Sequence, residues 1–133
     1  MKFWSFVIPI LWMIVVSVLH LVKVDIDNDR AKLIPHADKI VHFGMFATMA
    51  FLLVRSFLLN TNYKKQTIIL LVFFMCIGYG ALMEYLQTLT PAKRDSDVFD
   101  WFADVFGAAV GIAVSGTTFL PFFFHHQIRK SSQ

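Results

Sequence analysis

The chain has 133 residues, 57% hydrophobic, 16% aromatic and 16% charged, with 12 basic and 9 acidic residues for a formal net charge of +3. Soluble domains are about 25% charged, so this composition, with a mean hydropathy of +0.63, excludes a soluble globular protein, a disordered chain and a collagen-like one. The lone Cys76 excludes a disulfide-stapled secreted domain and, set within an apolar run, reads as a buried, inert thiol.

Four hydrophobic runs follow one another. Phe3 to Val22 is twenty residues without a charge, about 30 Å as a helix and so one bilayer core. Lys2 precedes it as in a signal peptide, but the apolar stretch is long and lacks a small-residue cleavage site, which predicts a retained first membrane helix. The second run, 40–60, is interrupted by His42 near its start and Arg55 near its end, whose stem is long enough to snorkel to the interface. The third, 66–89, carries Glu84 in its last two turns and is closed by Pro91; the fourth, 98–121, carries Asp100 and Asp104 in its first turns and ends near Pro121 to Phe124. Segments 23–39, 61–65 and 90–97 connect them. The expected architecture is one domain over 1–133, an all-α integral membrane protein built as an antiparallel bundle of four transmembrane helices.

An antiparallel bundle of four puts both termini on one side. Lys2, Arg55, Lys64, Lys65, Arg129 and Lys130 fall there without an acid; Lys23, Arg30, Lys32, Lys39, Lys93, Arg94 and all nine acids fall on the other. Basic residues alone are evenly split, but Lys64 and Lys65 in a tight turn and Lys2 beside the first helix act as topology signals and favour cytoplasmic termini.

The acidic side is ordered. At 100° per residue, Asp97, Asp100, Asp104, Gly107 and Gly111 lie within about 80° of one another. Gly80, Glu84 and Gln87 share a face of the third helix, and Asp38 and His42 are one turn apart on the second. The glycines are expected to admit a neighbouring helix closely. An ionised side chain in a membrane helix costs roughly 2.5–3.5 kcal/mol on insertion scales, so Glu84 and Asp104 are expected to face the bundle interior. Lys39, His42 and Arg94 are the available donors, and together these groups read as a polar cup open to one side. Simpler readings stand beside this one. Asp97 and Asp100 suit a helix N-terminus as caps, and Asp38 and Lys39 suit an interface. Glu84 and Asp104 also fit a structural buried pair. His20, His36, His125 and His126 are expected to be interfacial or solvated, and Trp101 and Phe119 to Phe124 to serve as belt and packing residues. The Asp25, Asp27, Asp29 alternation lacks the glycine and distal glutamate of a calcium loop.

The order Asp38-Lys39-x-x-His42-Phe43-x-x-Phe46, Glu84-x-x-Gln87, Arg94, then Asp100-x-x-x-Asp104-x-x-Gly107-x-x-x-Gly111 resembles the VanZ-like family of small bacterial membrane proteins, over about residues 36–113. The resemblance implies an inner-membrane, multi-pass protein of the cell envelope, in a family whose namesake is associated with low-level resistance to the glycopeptide teicoplanin. Asp104 departs from it, because many members carry Asn there, which makes a protonated carboxyl or a cation partner the expectation at this position.

Three function classes remain open. The first is a non-catalytic protein whose outward cup of Asp38, Lys39, His42, Glu84, Gln87, Arg94, Asp100 and Asp104 binds a lipid-linked or glycopeptide-like ligand, cations holding an anionic head group and carboxylates holding sugars or amines. The second is a membrane enzyme on a lipid-linked substrate, with His42 or Glu84 as general base and the Asp97, Asp100, Asp104 stripe taking Mg²⁺ or Mn²⁺. The third is a proton-coupled carrier with Glu84 and Asp104 as relay groups, needing further copies of the chain to form a pathway. No H-E-x-x-H, G-x-S-x-G, Walker loop or Cys/His zinc spacing is present, which favours the first class and no resident cofactor. The lipid bilayer is the expected partner; nucleic acid is not, since the basic residues flank membrane runs rather than forming a stripe.

Overall fold

The computed structural model describes residues 4–21, 37–89 and 97–130, with side chains for 5–21, 37–89 and 97–116. Four helices, α1 (Trp4–Leu21), α2 (Ala37–Asn60), α3 (Lys65–Leu89) and α4 (Val98–Lys130), make up nearly all of it, with no strand among the described residues. The protein is all-α. Ala37–Asn60, Lys65–Leu89 and the Val98–Gly116 part of α4 are long and apolar enough to cross a membrane; α1 is apolar but shorter.

Two boundaries differ from the sequence reading. Helix α2 starts at Ala37 rather than near 40, so Asp38 and Lys39 lie in its first turn instead of a loop. Asp38 there complements the helix dipole, and acids of α4 neutralise Lys39. Helix α4 runs past 121–124 to Lys130. A proline inside a helix removes one N–H and crowds the preceding turn, but where water is scarce the remaining backbone groups still favour helix. Arg94, His36 and Asp25, Asp27 and Asp29 lie outside the described residues, as do the side chains of His125, His126 and Phe119 to Phe124.

Contacts set the topology. Ser56 reaches Ser5 and Trp12 reaches Met45, so α1 and α2 are antiparallel. Lys39 meets Asp100 and His42 meets Asp104, so α2 and α4 run the same way. Tyr79 meets Met13 and Gln87 meets His20, which makes α1 and α3 parallel. The helices therefore run up, down, up, down, with α2 and α3 in the middle and α1 and α4 on either side. The core lies between them: Phe46, Met49, Ala50, Leu53 and Val54 recur at helical spacing along α2 against Val16, Ile68, Val72, Cys76, Ala108 and Ile112. The outer faces expose Ile8, Ile14, Phe74, Leu82, Phe102 and Phe106, an apolar exterior suited to lipid.

Two local features lock the bundle. In α1, buried Pro9 cannot donate to the Ser5 carbonyl. The Ser56 hydroxyl reaches that carbonyl at 2.6 Å and shares its proton with the Leu52 carbonyl at 2.9 Å. Along α2 and α4, Gly107 lies against the backbone of Phe43 and Gly111 against that of Ala47, so closely that a Cβ at either would overlap the facing carbonyl. These are the two glycines that the sequence assigned to helix packing, and their pairing with α2 is the small-residue contact of membrane helices.

Candidate functional site

All four helices bring polar side chains to one end of the bundle, in two layers. The outer layer is organised by Lys39. Its Nζ donates to Asp97 Oδ2 at 2.7 Å and Asp100 Oδ1 at 2.8 Å, with Asp38 Oδ2 at 3.5 Å. Asp97 is also the N-cap of α4: its Oδ1 accepts from the Phe99 N–H at 2.9 Å. Capping, expected of Asp97 from the sequence, coexists there with an ion pair. Asp38 is exposed at the edge, whereas Asp100 is turned inward at 7% exposure.

The inner layer comprises His20 of α1, His42 of α2, Glu84 of α3 and Asp104 of α4, none more than 8% exposed. His42 Nδ1 and Asp104 Oδ1 are 3.1 Å apart. His42 Nε2 lies 3.9 Å from Asp100 Oδ2, and His20 Nε2 lies 3.8 Å from Asp104 Oδ2. The two imidazoles meet edge to face with centroids 4.4 Å apart. One ligand-type atom from each of the four residues lies within 4.8 Å of the other three.

Neighbours hold this layer in place. His20 Nδ1 lies 3.0 Å from the Val16 carbonyl. A carbonyl only accepts, so Nδ1 carries the proton and a neutral ring leaves Nε2 a bare lone pair. The Gln87 amide donates to the His20 carbonyl at 3.1 Å, tying α3 to the end of α1. Gly80 leaves room for Asp104 and Trp101, since a Cβ there would sit 3.2 Å from Asp104 Oδ2 and 3.3 Å from the indole. Trp101 is half-buried, its indole N–H donating to the Ile77 carbonyl at 3.3 Å. One turn deeper, the Ser17 and Tyr79 hydroxyls are 2.6 Å apart and both reach the Met13 carbonyl.

Of the residues expected in the cup, Lys39, His42, Glu84, Asp100 and Asp104 gather here; Gln87 braces α1 from behind and Asp38 stays at the edge. Arg94 lies outside the described residues. His20 is the correction. Expected at the interface or in solvent, it is 1% exposed and central to the inner layer. Its signal was its place on one face with Met13, Val16 and Ser17, masked because α1 is apolar all round. The aspartate stripe also divides: Lys39 takes Asp97 and Asp100, while Asp104 goes to the histidines.

Chemically the inner layer is rich in acceptors. His20 Nε2, both Glu84 oxygens and Asp104 Oδ2 are buried with no hydrogen-bond partner among the described residues. Buried polar atoms are normally paired. Four unpartnered acceptors facing one another leave a place for something that donates protons or carries positive charge.

A protein-family model described as VanZ/LLP1 matches residues 3–124, which include α1, α2, α3 and most of α4. No curated protein and no solved structure matches the chain.

Proposed function

Because the chain belongs to the VanZ/LLP1 family, we propose that it is a multi-pass protein of the bacterial inner membrane whose polar end binds the head of a lipid-linked or glycopeptide-like ligand. The observation that carries this reading is the set of unpartnered buried acceptors on His20, Glu84 and Asp104. Sugar hydroxyls and amines supply the donors that these atoms lack, and each such bond to a carboxylate is charge-assisted. Lys39, a quarter exposed at the rim, holds Asp97 and Asp100 there, and Arg94, expected in the cup from the sequence, is the cation proposed for an anionic part of such a head group. The cup opens outward and the termini are cytoplasmic, which places the site where envelope glycans and glycopeptides are met. The proposed link to glycopeptide resistance comes from the family resemblance alone.

A second reading has one observation in its favour. His42 is positioned by Asp104 at 3.1 Å, the arrangement of a carboxylate-oriented general base. It makes the protein an enzyme acting on the same lipid-linked class.

Native mass spectrometry of the protein purified with its own lipids tests both. A lipid-linked adduct on the wild type, absent from Glu84→Gln, is the expected result. An adduct whose mass changes with time in wild type but not in His42→Gln selects catalysis. Indistinguishable spectra for wild type and Glu84→Gln overturn the binding site. In a Cys76→Ala background, Thr88→Cys is expected to label from outside and Asn62→Cys only after permeabilisation; the reverse pattern inverts the orientation.

A further inference from the structure

We propose that His20, His42, Glu84 and Asp104 form a site for one divalent transition-metal ion of the zinc class, buried between the four helices. This goes beyond ligand binding and does not rest on it, because the donor set is complete without any lipid or glycan.

Buried polar atoms without partners crowd together between the helices. The His20 Nε2 lone pair faces Asp104 Oδ2 at 3.8 Å, and both Glu84 oxygens and Asp104 Oδ2 lack donors. No other side chain among the described residues donates to these atoms, and Lys39 is committed to Asp97 and Asp100 in the outer layer. A single cation at the centre serves all four side chains at once. The ligand-type atoms already lie within 4.8 Å of one another. Closing to bonds of about 2.0–2.2 Å needs each to move by less than about 1 Å.

One neighbouring bond is of the kind found around a metal. Histidine ligands fix their tautomer by donating the other N–H to a carbonyl or carboxylate. His20 does so from Nδ1 to Val16 at 3.0 Å. His42 presents Nδ1 to the Asp104 side and Nε2 toward Asp100, 3.9 Å away and held by Lys39. Lys39 thereby acts on the site through Asp100 rather than at it. Two imidazoles and two carboxylates without a thiolate suit Zn²⁺, Mn²⁺ or Fe²⁺. Magnesium and calcium prefer oxygen ligands throughout. Each ligand comes from a different helix, so the ion also ties the bundle together. The site is distinct from an ion held on the aspartate stripe, since two of those three carboxylates already share Lys39.

The test uses Co²⁺ as a probe on the full chain, stripped with chelator in detergent. One Co²⁺ per chain with strong four-coordinate ligand-field bands, displaced by Zn²⁺, is the expected result. His20→Gln and Glu84→Gln are each expected to weaken binding more than about 100-fold, beyond what loss of an outer partner costs, with helix content checked by circular dichroism. Asp38→Asn is expected to bind as wild type. No stoichiometric Co²⁺ on the wild type overturns the site without recourse to any variant. So do weak six-coordinate bands that Asp38→Asn diminishes and His20→Gln leaves unchanged, since they mark binding to exposed carboxylates. Lipid adducts play no part in the measurement, so the metal site is tested apart from the ligand reading; an ion found there would take up the acceptors on which that reading draws.

Discussion

The two ends of the bundle treat polar groups in opposite ways. At the end that holds the 61–64 turn, no buried polar side chain of the described residues lacks a partner. Ser56 bridges Ser5 and Leu52, Asn60 donates to Ser56 and Thr61 to Phe57. At the other end, His20, Glu84 and Asp104 are buried with acceptor atoms left over. The first end contains only what stability needs; the second retains groups that cost stability, and such a conflict between local cost and global fold is characteristic of functional sites.

Substitutions that load or relieve each end test this contrast. The largest effect is expected on the seam supporting the polar end: Gly107→Val drives a side chain into the Phe43 backbone. Overpacking costs typically 1–3 kcal/mol, and rigid backbone takes it to the upper end or beyond, so thermal unfolding in detergent should show a large drop or no folded protein. Next comes Glu84→Gln in metal-free protein. Removing a buried carboxylate without a partner is expected to stabilise the fold by about 1–2 kcal/mol while abolishing binding; a Glu84→Gln variant less stable than wild type would falsify the idea that this end is strained. Lys39→Met is expected to cost about 1–2 kcal/mol, the scale of a charge-assisted hydrogen bond in a partly exposed place, and to weaken the Co²⁺ site modestly through Asp100. Ser56→Ala, at the satisfied end, should cost about 1 kcal/mol and leave Co²⁺ binding untouched. If it changed binding, the separation of the ends would fail.

The helices were readable as spans because runs of about twenty apolar residues have few other uses. Glu84 and Asp104 stood out for the same reason, as acids where lipid should be. Helix ends were harder. Asp38 and Lys39 look like loop charges until Lys39 is seen between Asp97 and Asp100, and that pairing depends on α2 lying beside α4. Adjacency between helices leaves little trace where the inner and outer faces of a helix are both apolar. His20 was missed on that account: a histidine in a uniformly hydrophobic helix has no polar face to mark its direction. Gly107 and Gly111 announced a close contact without naming the partner, which proved to be α2.

That partnership bears on biogenesis. The closest helix pair, α2 with α4, is separated in the chain by the whole of α3. During synthesis the first three helices can insert and pair while α4 is still to come, bringing His20, His42 and Glu84 into the membrane without Asp104. The histidine–carboxylate layer therefore waits for the start of α4. The four-residue layer, and any site built on it, is complete only once α4 has docked beside α2.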